Sequence, residues 1–304
     1  MPAIALALLL GAMIVIGFWI NETPVAHARP TLVESSEHSL RRINARGMVQ
    51  RVGMVKAPLV KEASALIKSK KHPGIFWTLC DSGNPPFLFA IETSGKLRAT
   101  VRLDGVPNVD WEALAIDDQG HIYVGDIGNN HLKHLKRSIY RIDEPDRLDG
   151  KPPLEPQTVP VTGQWHYTYP AKPFDAESLM MQDGMFWVIS KAKNLDETRL
   201  YRLPIEPVGS TQVIEEVGKL APEMLMIADA SISPDGQRLA LVTKFYTVLY
   251  TLPHGKITDI LTAQPTYYEY DLYKVEGCAW EGDDLILISE DRRVYRLPLT
   301  RAEQ

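Results

Sequence analysis

The chain holds only two cysteines among 304 residues, Cys80 and Cys278. That excludes the disulfide-dense scaffolds typical of small secreted domains. It also has little charge of one sign, since 33 Lys and Arg stand against 38 Asp and Glu, a net charge of −5. Without a basic face to displace counterions, nucleic-acid binding is excluded as a function class. The sequence lacks a P-loop, a nucleophile elbow and a His-Glu-x-x-His pair, the short motifs that announce several enzyme mechanisms. His131 and His134 fall on one predicted loop with no cysteine nearby, a poor zinc site. What remains is an ordinary globular composition, 45% apolar and 23% charged, able to bury a sizeable core.

Long apolar runs are scarce too, with one exception. Pro2 to Ile20 is unbroken and is followed by the small-x-small pattern Ala26-His27-Ala28. Residues 1–28 therefore read as a signal peptide or, because the run is long enough to span a bilayer, a retained membrane anchor. Either outcome predicts an extracytoplasmic protein, periplasmic, secreted or membrane-anchored, that meets a membrane only through this segment. Residues 29–44 are polar, without clear periodicity, and read as a linker.

From residue 45 to the end the sequence repeats itself. Five copies of a short motif place an oxygen-bearing side chain ahead of a small-apolar stretch: Glu62-Ala-Ser-Ala, Glu112-Ala-Leu-Ala, Glu177-Ser-Leu-Met, Ser231-Ile-Ser-Pro and Glu276-Gly-Cys-Ala. About fourteen residues later, β-branched and aromatic runs end at Asp81, Asp126, Lys191, Lys244 and Glu290. The first interval is longer because Lys68–Gly74 is inserted. Self-similarity at a period of about 45–65 residues, with several strands per unit, predicts an all-β fold, a β-propeller of five blades over residues 45–304. Six blades is the alternative, if the Pro-rich stretch Glu144–Pro173 hides another unit. After Glu276 too little chain remains for four strands, so the strand-like Gly47–Val55 is expected to complete the last blade and close the ring. Cys80 and Cys278 then fall in neighbouring blades. Two buried free thiols are the commoner outcome, and a disulfide stays open.

In a propeller the first strand of each blade lines the channel and the second runs back antiparallel. The starts of first strands and the ends of second strands therefore meet at one mouth. Glu62, Glu112, Glu177, Ser231 and Glu276 are expected to form an inner ring there, with Asp81, Asp126, Lys191, Lys244 and Glu290 around it. Asp110, Asp175 and Asp229 add acid nearby. Bare glutamates in close quarters repel one another, so the ring predicts a hard cation, Ca²⁺, held by the four Glu and Ser231. A purely structural reading stays open, in which each Glu clasps the backbone of the next blade. Lys191 and Lys244, expected to stay hydrated at the mouth, would take an anionic, phosphate-bearing ligand. Asp81 or Asp126 would serve as general base for hydrolysis by a metal-polarised water. The loops Asp81-Ser-Gly83-Asn84 and Asp126-Ile-Gly128-Asn129 would bring Asn84 and Asn129 to the ligand, with Glu290 beside them.

The order Glu, Glu, Glu, Ser, Glu at first-strand starts resembles the calcium-activated nucleotidase (apyrase) family, and the strand starts with mouth lysines resemble the β-propeller phytases. Exported bacterial propellers with Asp-Ser-Gly-Asn and Asp-Trp-Glu-Ala-Leu-Ala segments are similar as well. The resemblance implies calcium on Glu112, Glu177, Ser231 and Glu276, with Glu62 or Ser64 from the first blade, and phosphoric ester or anhydride hydrolysis by a monomer. A non-catalytic propeller binding a small anionic ligand or a protein, and a lactonase-like hydrolase, are the alternatives.

Overall fold

The computed structural model describes residues 41–148, 156–194, 197–221 and 224–299. The segment 1–28 and most of the linker lie outside them. Among the described residues no helix is long and apolar enough to cross a membrane.

Five antiparallel sheets are arranged as the blades of a propeller. Blade 1 runs outward through Ile67–Lys68, Ile75–Leu79, Phe87–Glu92 and Leu97–Leu103. Blade 2 uses Ala113–Ile116, His121–Asp126, Lys136–Asp143 and Gly163–Thr168. Blade 3 uses Ala176–Gln182, Met185–Ser190, Arg199–Pro204 and Glu215–Lys219, and blade 4 Ile227–Ile232, Arg238–Thr243, Tyr246–Thr251 and Thr266–Glu269. Blade 5 has three strands from the end of the chain, Val275–Glu281, Asp284–Ser289 and Arg293–Pro298. Its outer strand is Gln50–Met54, antiparallel to Arg293–Pro298. The expected closure by the N-terminal strand is what the sheet order shows.

The Pro-rich stretch hides no sixth blade. Gln157–Val159 pairs in parallel with the outer strand of blade 1 before the chain returns as the outer strand of blade 2. The same stitch recurs. Thr211–Val213 pairs with blade 2 just before the chain completes blade 3, and Arg41–Asn44 pairs with blade 4 just before it completes blade 5. Between blades 3 and 4 a short 3-10 helix, Ile257–Leu261, does this work. Gln182 in blade 3 accepts from the N–H of Ile257 (2.7 Å) and donates to the carbonyl of Gly255 (2.8 Å).

The apolar residues sort into five cores, each between two adjacent blades. Alternating strand residues face opposite ways, so each sheet feeds the core on either side of it. The indoles of Trp77 and Trp111 anchor the core between blades 1 and 2, and Trp165 that between blades 2 and 3. Cys80 and Cys278 are buried free thiols. The ring closes tightly where blades 5 and 1 meet: a Cβ on Gly277 would sit 2.7 Å from the backbone of Ala65. Only glycine permits that approach.

Candidate functional site

Three of the first strands begin with one residue out of register. The pairing skips at Glu177 in blade 3, Ala228 in blade 4 and Glu276 in blade 5. In blades 1 and 2 the matching residues are Ser64 and Glu112, whose N–H groups donate to Leu79 O (3.1 Å) and Gly125 O (3.0 Å) at the corresponding place on the second strand. Such bulges turn a side chain off the strand's regular alternation. The inner ring is therefore Ser64, Glu112, Glu177, Ala228 and Glu276.

This frame corrects three placements. Glu62 stands two residues ahead of the ring, exposed, and Ser64 takes its place. Ser231 lies beyond the bulge, paired with Ala240, and lines the opposite end of the channel. Asp126 is one residue short of the outer tier, which reads Asp81, Ile127, Lys191, Lys244 and Glu290. A third tier precedes the ring by two residues in each blade: Glu62, Asp110, Asp175, Met226 and Lys274. Lys274 had a readable signal, since it precedes Glu276 as Asp110 precedes Glu112.

The three tiers divide the mouth. Blades 1 and 2 give Glu62, Asp81, Asp110 and Glu112; the lysines Lys191, Lys244 and Lys274 come from blades 3, 4 and 5. Every one of these lysines has a carboxylate partner. Lys191 is buried against Glu177, Lys244 lies 3.0 Å from Glu276, and Lys274 lies 2.9 Å from Glu290. Burial and the neighbouring charge of Lys244 push the Lys191 ammonium down from its usual range. Burial would do the same to Lys244, but the Glu276 carboxylate outweighs it and holds that ammonium up.

The acidic side has no such compensation. Glu62, Asp81 and Asp110 have no ion-pair partner among the described residues. Burial, then the charges of Glu62 and Asp110, push Asp81 up to about 6, although Asn84 Nδ2 donates to its carboxylate (3.1 Å). Burial pushes Glu112 up to about 8, against the Ser64 hydroxyl that donates to it (2.5 Å) and the charge of Lys191. Asp110 is raised by burial despite Arg137. Asp175 Oδ2 and Glu177 Oε2 are buried acceptors without a donor.

The two similar loops are built differently. Gly83 adopts a left-handed conformation (φ 78°) over open space. Gly128 does not; a Cβ there would lie 2.6 Å from Glu112 and 2.7 Å from Asp110, so it lets the loop press onto both acids. Asn84 therefore touches Asp81 in the mouth. Asn129 is buried and spent on its own loop, accepting from the N–H of His134 and donating to His134 O and the Tyr169 hydroxyl. Asp126 is buried as well, accepting from Arg137 (2.7 Å) and from the N–H of Asp110 (2.8 Å). It is a strut behind Asp110. Two buried acids make blade-to-blade clasps: Asp175 accepts from the N–H of Asn129 in blade 2 (2.6 Å), and Asp229 from the N–H groups of Cys278 in blade 5 (2.8 Å) and Leu66 in blade 1 (3.4 Å).

The arrangement does not fit a calcium ion held by the ring. Glu112, Glu177 and Glu276 face Ser64, Lys191 and Lys244. Among the described residues no three His, Cys, Asp or Glu are grouped as an ion requires. A cavity of about 520 Å³ opens at the other end of the channel.

No protein-family model matches the chain, and no curated protein matches it. Solved structures do. The chain is similar to the glutaminyl cyclase of Myxococcus xanthus, with a TM-score of 0.50 and 11% identity, over 85% of this chain and 97% of that one. A catalytically inactive virginiamycin B lyase from Staphylococcus aureus, solved with quinupristin, gives 0.40 and 14%, over 78% and 66%. At such identities the likeness to the cyclase is one of fold, a β-propeller.

Proposed function

We propose that the charged mouth binds a small zwitterionic molecule. Its cationic group, an ammonium, lies against Glu62, Asp81 and Asp110, and its anionic group, a phosphate or carboxylate, lies against Lys244 and Lys274. The observation that carries this reading is the imbalance of the mouth: three carboxylates without an ion-pair partner stand opposite lysines that are already paired. A ligand cation relieves the repulsion among the acids. Lys244 and Lys274 are partly exposed, and an ammonium with three donors can serve a carboxylate and a ligand anion together. The phosphate-bearing ligand expected from the sequence thus becomes one half of the molecule.

Phosphoethanolamine, ethanolamine and inorganic phosphate, titrated calorimetrically in low salt, test the proposal. The expected order of affinity is phosphoethanolamine, then ethanolamine, then phosphate. Asp81→Asn with Asp110→Asn should remove at least a tenfold share, the worth of one charge-assisted contact of about 1.5–3 kcal/mol. Phosphate binding as tightly as the zwitterion would sink the reading.

Asp81 and Glu112, raised into the neutral range, favour a second reading, in which the same mouth moves protons for hydrolysis without a metal. A pH–rate profile on phosphomonoester, nucleoside diphosphate and lactone substrates separates it from pure binding.

A further inference from the structure

The charged mouth is only one end of the channel. Four residues past the ring, the first strands leave at the opposite face through equivalent positions: Lys68, Ile116, Met181, Ile232 and Trp280. Each is opposite the start of its second strand, at Phe76, Ile122, Phe186, Leu239 and Leu285. Where the near ring is mostly acid, this one is apolar at four of five positions, and the fifth is a lysine. It opens into the cavity of about 520 Å³, within the range of about 300–1,000 Å³ usual for small-molecule sites. The small side chains of Ala115, Ala230 and Ala279 line it and leave the space free.

The charged groups around this rim are spent, with one exception. Lys70 pairs with Asp118 at 2.8 Å, and Gln182 bonds to blade 4 through both its amide atoms. Lys68 is partly exposed and has no hydrogen-bonding or ionic partner among the described residues. Its position is fixed by the insertion that follows it. Buried Glu144, from blade 2, accepts from the Ser69 hydroxyl, from the N–H groups of Lys70 (3.1 Å) and Lys71 (3.0 Å), and from the Trp77 indole (2.7 Å). Trp280 is fixed as well: its indole donates to Ser231 O (2.9 Å), and Arg238 lies 4.5 Å over its ring. The rim is thus a rigid apolar collar with one uncompensated cation.

We propose that this end of the channel is a second ligand site, for an amphiphilic monoanion: an alkyl or aryl chain in the collar and a single carboxylate or sulfonate on Lys68. One free lysine suits one charge. Burying the chain in the collar supplies the affinity, and the ammonium selects among ligands with the same chain.

Decanoate, decanol and decylammonium, titrated calorimetrically below their aggregation range, test it. Decanoate should bind saturably at one site and at least tenfold more tightly than decanol, with decylammonium weakest. Lys68→Met should bring decanoate down to the level of decanol and leave decanol unchanged. Ile116→Trp, which fills the collar, should remove both. Asp81→Asn with Asp110→Asn, at the far mouth, should change neither, so this site stands or falls apart from the zwitterion reading. Equal binding of the three probes, decanoate binding indifferent to Lys68→Met, or the absence of saturable binding would each overturn the proposal. A circular-dichroism melt of every variant separates lost binding from lost fold, and Lys68→Met, at a partly exposed strand end, carries the result if Ile116→Trp does not fold.

Discussion

The two ends of one channel are made by the same five strands and could hardly differ more. At the near end the first strands of blades 3, 4 and 5 start with a bulge, and Glu177 and Glu276 join Ser64 and Glu112 at equivalent positions in one ring. Four residues on, regular pairing has returned and the equivalent side chains are mostly apolar. Strand geometry sets where side chains converge; residue choice sets what they do there. The near end concentrates titratable groups and burdens the fold with buried charge. The far end carries one unpaired lysine, partly exposed, and burdens it very little.

Removing residues 41–54 should blur the difference most, because the tube itself fails. Those residues supply the outer strand of blade 5 and the stitch onto blade 4, and their loss leaves two sheet edges unpaired. Loss of a cooperative melt is expected, whereas removal of residues 1–40 should leave it intact. Equal melts for both truncations would show that the ring closes without its N-terminal strand.

Next in size is a contrast between lysines. Lys191→Met strands Glu177 as a buried, unpaired carboxylate and should cost about 3–5 kcal/mol. Lys68→Met at the far end should stay within about 0.5 kcal/mol. Urea unfolding measures both, and similar costs would contradict the asymmetry. This reverses the expectation that Lys191 stays hydrated, since its side chain is only 5% exposed.

Of the two ends, pH should act through the near one. Asp81, about 6, and Glu112, about 8, are raised above ordinary carboxyl values. A raised folded-state value means that their stabilisation is complete below the unfolded value, near pH 4, and is lost as pH climbs through 6 to 8. The melting temperature should therefore fall by several degrees between pH 6 and 8.5, and Glu112→Gln should flatten that slope. A melting temperature rising over the same interval would refute the assignment.

The smallest expected effect is that of calcium. With the ring glutamates turned to Ser64 and the lysines, EDTA and added Ca²⁺ should leave the melting temperature within about 1 °C. A bound ion at a hundredfold excess over its dissociation constant would add about 2.7 kcal/mol, and such a rise would return calcium to the ring.

The blades, their number and the closing strand were legible in the sequence, because turns, β-branched runs and spacing recur whatever the local register. The ring was only half legible. A bulge adds one residue without a residue type of its own, so Ala228 looks like nothing, while Ser231 three residues on looks like a ligand. Glu62 and Ser64 compete for one position, and spacing alone favoured the wrong one. Asp126 matched the motif by type but points at Arg137. Lys191 meets Glu177 and Lys274 meets Glu290 inside one blade, 14 and 16 residues apart, whereas Lys244 meets Glu276 of the next blade, a pairing no linear pattern encodes.

The stitches between blades also impose a timetable. Arg41 waits for Thr266 and Gln50 for Arg296, so the first strands made are the last to find partners. Until the final hairpin emerges, the N-terminal strands have nothing to pair with and blades 4 and 5 keep open flanks. Contacts so distant in sequence make for slow folding. Completion arrives late and all at once, when the closing strand Gln50–Met54 meets the last strand of the propeller, Arg293–Pro298.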